Sequence, residues 1–338
     1  MVYLLQQTII FTIPLMIVAL AGVFSERSGI INIALEGLMI FGAFIGVVLI
    51  RAIILMKIPV QYGQLILLAG ILVAIVGGGL FAMLLAFASI RLKANQTITG
   101  TALNLLAPAI ALFFILIISS QSVLNIESNY TSNDYFMLSQ QDFGLGTKLE
   151  NPLGVIGNVL FNKTYITTWL CIVLYIILSV ILYKTKFGLR LRACGENPHA
   201  ADSVGINVYK MRYFGTIISG CLAGLGGFVY SVTIAYASSD GSVAGFGFLA
   251  LAVMIFGNWK PLNIAGAAFL FGLLKCIAVG YPYIDINNDG IYWLDTLGIS
   301  QHIYRILPFF ITLVVLAFTS KRSRAPKAEG IPYDKGQR

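Results

Sequence analysis

What most constrains this chain is a series of nine apolar runs, near residues 8–24, 31–50, 64–90, 98–119, 165–183, 213–235, 244–258, 261–281 and 303–319. Most lie near the roughly 20 residues that cross a bilayer as an α-helix. Only 11% of the 338 residues are charged, against about 25% in a water-soluble globule. So few charges cannot cover a water-facing surface. The short alternating segments of a β-barrel do not dominate. The expected fold class is an all-α polytopic membrane protein, a single transmembrane domain over residues 1–338 with about nine transmembrane segments. The opening residues MVYLLQQ carry no Lys or Arg and lead to no small-residue cleavage site, so no cleaved signal peptide is expected.

The placement of charge sets the orientation. The 184–212 loop holds Lys184, Lys186, Arg190, Arg192, Lys210 and Arg212. The 320–338 tail holds Lys321, Arg322, Arg324, Lys327, Lys335 and Arg338. By the positive-inside rule both are cytoplasmic, and Arg91, Lys93 and Lys260 fall on the same side. The 120–164 loop sets Lys148 and Lys163 against Glu127, Asp134, Asp142 and Glu150. The 282–302 loop has Asp285, Asp289 and Asp295 without Lys or Arg. Both are expected outside, as is the N-terminus. Arg51 and Lys57 then lie outside against the bias. The net charge of +8 sits at membrane boundaries and does not call for nucleic acid.

A short echo suggests how the spans are arranged. Residues 33–42 read IALEGLMIFG, and residues 248–257 read FLALAVMIFG. Each copy follows a glycine-containing break, Ser28-Gly29 in the first and Gly241 to Gly247 in the second. With the orientation above, the two copies run in opposite directions. That is the pattern of two inverted-topology repeats with broken helices near the midplane, where transporters place their pathway.

Several polar residues stand out against this background. Ser25, Glu26, Arg27, Asn32 and Glu36 cluster in the first break. Glu26 and Arg27 suit either a cytoplasmic surface or a pathway. Glu36 is followed only by apolar and small residues up to Ile50, and a carboxylate there costs a few kcal/mol unless paired or wetted. It must face a cavity, a partner helix or a helix terminus. Asn95, Gln96, Thr97 and Thr99 suit a helix N-cap, and Asn104 lies deeper, where it is a candidate to line a pathway. Phe24, Phe246 and Phe248 offer rings for stacking or for packing. Asn197-Pro198 starts a short helix that Gly205 stops, giving either a docking peg or an ordinary solvated loop. Asp285 to Gly290 matches half of an EF-hand loop, but its final ligand position is Thr296, which favours a plain turn. Gly42, Gly46, Gly77, Gly78, Gly79, Gly220 and Gly224 allow close helix packing. Pro14, Pro108 and Pro308 interrupt spans locally.

Cys171, Cys194, Cys221 and Cys276 are isolated, and the two histidines, His199 and His302, are far apart. Neither a disulfide framework nor a metal site is expected. No nucleotide P-loop, GxSxG or HExxH pattern occurs, so no catalytic residue and no cofactor is expected.

Three stretches carry a resemblance: GVFSERSGIINIALEGLMIFGAF, ACGENPHAADSVGINV and GFGFLALAVMIFGNWKP. They resemble permease subunits of bacterial ABC importers of the branched-chain amino acid and simple-sugar class, nearest to its nucleoside branch. The resemblance runs from about residue 8 to 319. It implies a heteromeric importer in the cytoplasmic membrane, with a cytoplasmic C-terminus. Its partners would be a second permease chain, an ABC ATPase that hydrolyses ATP, an extracytoplasmic substrate-binding lipoprotein and the lipid bilayer. The GENPHAADSVGI segment would be the coupling helix, with Gly195, Glu196, Asn197, Pro198, Ala200, Ala201 and Gly205 at the matching positions. Ser25, Glu26, Asn32, Glu36, Asn104 and Phe246 would border the substrate pathway. The expected cargo is a small polar solute, nucleosides or simple sugars. The alternative is an ion-coupled secondary transporter using Glu36 as the coupling carboxylate. A channel or receptor would need no cytoplasmic peg.

Overall fold

A computed structural model describes residues 2–59, 62–125, 136–138, 164–280, 300 and 324–336, with scattered positions between 303 and 314. The helices are α1 (Val2–Glu26), α2 (Leu35–Leu55), α3 (Gly63–Ala86), α4 (Gln96–Ser119), α5 (Ile166–Lys184), α6 (Lys186–Glu196), α7 (Pro198–Ser203), α8 (Val208–Thr233), α9 (Phe246–Phe256) and α10 (Pro261–Gly280). A π-helical turn, Phe87–Arg91, extends α3. Strands β1 (Met137–Leu138) and β2 (Thr164–Tyr165) form one small antiparallel pair.

Among the described residues seven helices are long and apolar enough to cross a membrane: α1, α2, α3 with its π turn, α4, α5, α8 and α10. About nine segments were expected; of the two not among these seven, 303–319 lies largely outside the described residues, and the absence of the other has a physical cause. The 244–258 run is not a full span. Its helix α9 has 11 residues, about 16 Å of rise, roughly half the ~30 Å hydrocarbon thickness. The chain leading into it holds Gly241 (φ 76°), Ala244 (φ 50°) and Gly245 (φ 76°), left-handed values that no right-handed helix accommodates. The 303–319 run is helical at its described positions. Asp285 to Gly290 and most of the 120–164 and 282–302 loops lie outside the described residues.

Helix α1 is the axis of the bundle: 89% of its spanning window is buried, against 22% for α4 and 28% for α5. The outer helices turn Leu105, Phe113, Val173 and Ile176 outward, apolar surface suited to lipid. Helix α8 packs against α1, α2 and α3. Its Gly224 is one point of close approach. A Cβ on Gly42 of α2 would collide with the Gly224 backbone, and a Cβ on Gly224 would meet the Ala74 carbonyl of α3. Dispersion between backbones at such crossings is what holds helices together where lipid removes the hydrophobic drive.

The two ends of the bundle sort as the charges require. At one end the tail meets three other segments. Ala328 N–H donates to the Gly195 carbonyl (2.9 Å), Lys93 pairs with Asp334 (2.7 Å), and Arg324 N–H donates to Asn258 Oδ1 (2.9 Å). At the other end Arg51 donates to the Asn125 carbonyl (3.3 Å), and Leu124 bridges to Ser239. Every segment assigned to one side by its charges, where described, meets others assigned to that side.

Candidate permeation and coupling site

The N-terminus of α9 has no cap of its own, because its N-cap residue is Gly245. A helix start leaves orphan amides, which are costly at membrane depth. Glu36, from the first turn of α2, supplies the missing acceptor. Its carboxylate accepts from Gly245 N–H (3.0 Å), Gly247 N–H (2.7 Å) and Phe248 N–H (3.3 Å). These are charge-assisted bonds at the positive end of a helix dipole. Glu36 is thus 8% exposed and fully engaged.

Helix α2 is capped in the same manner, by a residue from another helix. Its own N-cap position, Ala34, makes no side-chain cap bond. Asn104 of α4 instead accepts from Gly37 N–H (2.8 Å) and donates to the Ile33 carbonyl (2.9 Å). Gln96 accepts from Ile31 N–H (2.7 Å). Asn32 donates to Ser219 Oγ of α8 (2.8 Å), and Ser25 Oγ donates to the Ile30 carbonyl (2.8 Å). Ser25, Asn32, Glu36 and Asn104 therefore gather around one break in the backbone. Each echo helix also carries a glycine where its capping residue comes closest. A Cβ on Gly247 would strike the Glu36 backbone, and one on Gly37 would strike Leu103 and Asn104.

The starts of α2 and α9 thus meet head to head. From there α9 runs to Trp259, whose indole donates to Glu26 at the end of α1. Helix α2 runs the other way beside α8, packing Gly42 on Gly224 and Gly46 on Phe228. The two echo segments are antiparallel, as expected. Their local roles differ, since Gly42 is interior to α2 whereas Gly257 terminates α9.

Beside the start of α9 is a cavity of about 340 Å³ between α1, α8, α9 and α10, lined in part by Phe11, Tyr230, Phe246 and Lys275. Phe246 is within it, Phe24 is fully buried elsewhere, and Phe248 is 49% exposed. Lys275 was not anticipated. Its signal was available: it is the one cation inside the 261–281 run.

At the opposite end stands the short helix foreseen from Asn197-Pro198 and Gly205. Asn197 caps α7 by accepting from Ala200 N–H (3.0 Å), with Pro198 at the first helical position. Gly205 closes it at φ 82°, and Ile206 N–H returns to the Ala201 carbonyl (3.0 Å). Glu196 pairs with Arg27 of the first break (3.2 Å), and Gly195 rests on the Arg27 backbone. This short helix is thereby tied to the α1–α2 turn. Two features were not legible beforehand: the preceding helix α6, and the docking of the tail. Arg212, counted among the loop cations, is 1% exposed and donates to the Ile331 carbonyl (3.0 Å). Tyr333 packs its ring between His199 and Tyr209, and Lys335 approaches Asp202 (4.0 Å). Glu329 shares a hydrogen bond with Glu26, and burial pushes its carboxyl up to about 7. The Lys93 ammonium holds Asp334 below the usual carboxylate range.

Seven helices long and apolar enough to cross a membrane, one shorter apolar helix, and helix starts capped by side chains from neighbouring helices define a polytopic helical membrane protein. The chain belongs to the family of permease components of branched-chain amino acid transport systems, which matches residues 4–316. It is 39% identical to the guanosine ABC transporter permease protein NupQ of Bacillus subtilis, over 98% of this chain and 96% of that one. It is 36% identical to the nucleoside ABC transporter permease protein NupC of Lactococcus lactis, over 97% and 96%. The B. subtilis guanosine permease NupP is more distant, 26% identical over 83% and 75%. No solved structure matches the chain.

Proposed function

We propose that this chain is a permease subunit of an ABC importer that carries nucleosides inward. The observation that carries the reading is near-end-to-end similarity to two permeases named for guanosine and nucleoside transport. ATP hydrolysis belongs to a separate ATPase, and an extracytoplasmic lipoprotein delivers the solute. The second permease is a paralogue, a role suggested by the two guanosine permeases, NupQ and NupP, of one organism. The complex lies in the bacterial cytoplasmic membrane with the basic tail inside.

Gly195, Glu196, Asn197, Pro198, Ala200, Ala201 and Gly205 form the coupling segment that the ATPase engages. The Arg27–Glu196 pair links this segment to the first break, 169 residues away in sequence. Movement of the peg is thereby handed to the break. Ser25, Glu26, Asn32, Glu36 and Asn104 border the pathway by holding that break in shape. The ATPase drives transport only because its states favour inward and outward conformations unequally. The ion-coupled reading is disfavoured by Glu36 itself, whose carboxylate is committed to three backbone amides.

Expression of the chain with its neighbouring ATPase, second permease and lipoprotein genes tests this. Uptake of labelled nucleosides that is competed by other nucleosides, and not by branched-chain amino acids or sugars, is the expected result. Uptake of sugars alone would refute the substrate assignment.

A further inference from the structure

We infer that the cavity beside the start of α9 is a nucleoside subsite built within this one chain. The base lies against the wall formed by Phe11, Tyr230 and Phe246, and the ribose hydroxyls meet Lys275, Gln7 and Thr233. The inference rests on the nucleoside-permease reading and gives it a place in the molecule.

Size comes first. At about 340 Å³ the cavity lies within the range of small-molecule sites. Its walls then select the ligand. The rings of Phe11 and Phe246 lie 6.2 Å apart at 26°, and Tyr230 approaches Phe246 at 4.9 Å and 56°. The three rings pack on one another, with Phe246 2%, Phe11 7% and Tyr230 9% exposed, and form an aromatic wall against whose open edge a flat heterocycle can lie.

Polar groups stand beside the rings. Lys275 Nζ lies 5.2 Å from the Phe246 centroid, so the cation borders the aromatic wall. Lysine offers three donors and no acceptor, which suits hydroxyl and carbonyl oxygens. Gln7 adds donor and acceptor, and Thr233 adds a hydroxyl. An ionisable residue inside a span and on a cavity wall is costly unless it has work to do. Lys275 also interacts with the Glu36 carboxylate, which joins the cavity to the cap of α9.

Position completes the argument. Tyr236, on the cavity wall, is 71% exposed, and Val279 is 57% exposed. They lie at the C-terminal ends of α8 and α10, the end of the bundle remote from the coupling segment. That is where a delivered solute arrives. Phe246 is the first residue of α9, so a bound base touches the element that Glu36 holds.

The test uses the complete transporter in proteoliposomes. Thr233→Cys is labelled with a small thiol reagent, and modification of residue 233 is read by peptide mass spectrometry beside the parent protein. Guanosine should slow labelling, guanine or ribose alone should do so far less, and Lys275→Met in the same background should remove the protection. Independently, Lys275→Met should lower guanosine uptake roughly tenfold, the loss of one charge-assisted hydrogen bond, and Lys275→Arg should restore most of it. Unchanged labelling under saturating guanosine, in a complex that transports guanosine, overturns the subsite and leaves the transporter reading standing. Protection by ribose as strong as by guanosine overturns the nucleoside class. A complex that moves no nucleoside at all overturns the transporter reading, and this inference with it.

Discussion

The carboxylate of Glu36 lies 2.7 Å from the backbone nitrogen of Gly247, 211 residues further along the chain. That bond ties the first break of the membrane bundle to the second. It gives an intramembrane charge a structural reason to exist. It also separates a capping role from a proton-carrying one, because the two respond differently to substitution.

Glu36→Ala should leave three amides at the start of α9 without an acceptor, at about 1–3 kcal/mol for each group left buried. Thermal stability in detergent should fall, and ATP-driven uptake with it. Glu36→Gln keeps an acceptor but loses the charge, worth up to about 2 kcal/mol at a partly buried helix end. Its uptake should lie between wild type and Ala. Equal inactivity of Gln and Ala would favour proton coupling.

Gly247→Ala places a methyl against the Glu36 backbone. The start of α9 must then move away from its cap. Overpacking of this kind costs typically about 1–3 kcal/mol. Expression and insertion should survive while uptake falls well below wild type. Normal uptake would show that α9 does not depend on this contact.

Glu196→Lys reverses one partner of an exposed pair, since Glu196 is 48% exposed. Such pairs contribute at most about 1 kcal/mol, so stability should barely change. Co-purification of the ATPase and ATP-driven uptake should both be lost. Retained ATPase binding would remove 196–205 from the coupling role.

Docking of the tail should depend on pH. Burial raises Glu329 to about 7, well above the roughly 4.3 of a free glutamate. The native state therefore holds the proton longer than the released tail does. Docking is fully favoured below about 4.3 and weakens as pH rises through about 7. Tryptic cleavage at Lys327 should accelerate between pH 6 and pH 8, read as peptide release. Glu329→Gln should stay protected at both values. Cleavage independent of pH in the wild type would contradict the buried placement of Glu329.

How much of this was legible depended on the range of each signal. The spans followed from apolar length, and the short helix at 198–203 from two local residues, Asn197 and Gly205. The antiparallel sense of the echo followed from where Lys and Arg lie. The half-span nature of α9 did not, because its cap comes from Glu36, on a different helix. Asn104 looked free to line a pathway, yet its amide is shared between Gly37 and Ile33. From its charges the tail reads only as cytoplasmic, and the fold alone shows Tyr333 packed at 4% exposure beside the short helix. Phe11, Tyr230, Phe246 and Lys275 are spread over most of the chain, so no window of sequence reveals their cavity.

The central claim is that a separate ATPase drives this permease through the peg. Its most direct test is guanosine uptake into proteoliposomes holding the full complex, with ATP alone and with an imposed proton or sodium gradient alone. The account predicts uptake with ATP, none with either gradient, and loss of the ATP-driven signal in Glu196→Lys. Gradient-driven uptake by the permease without its ATPase would contradict it.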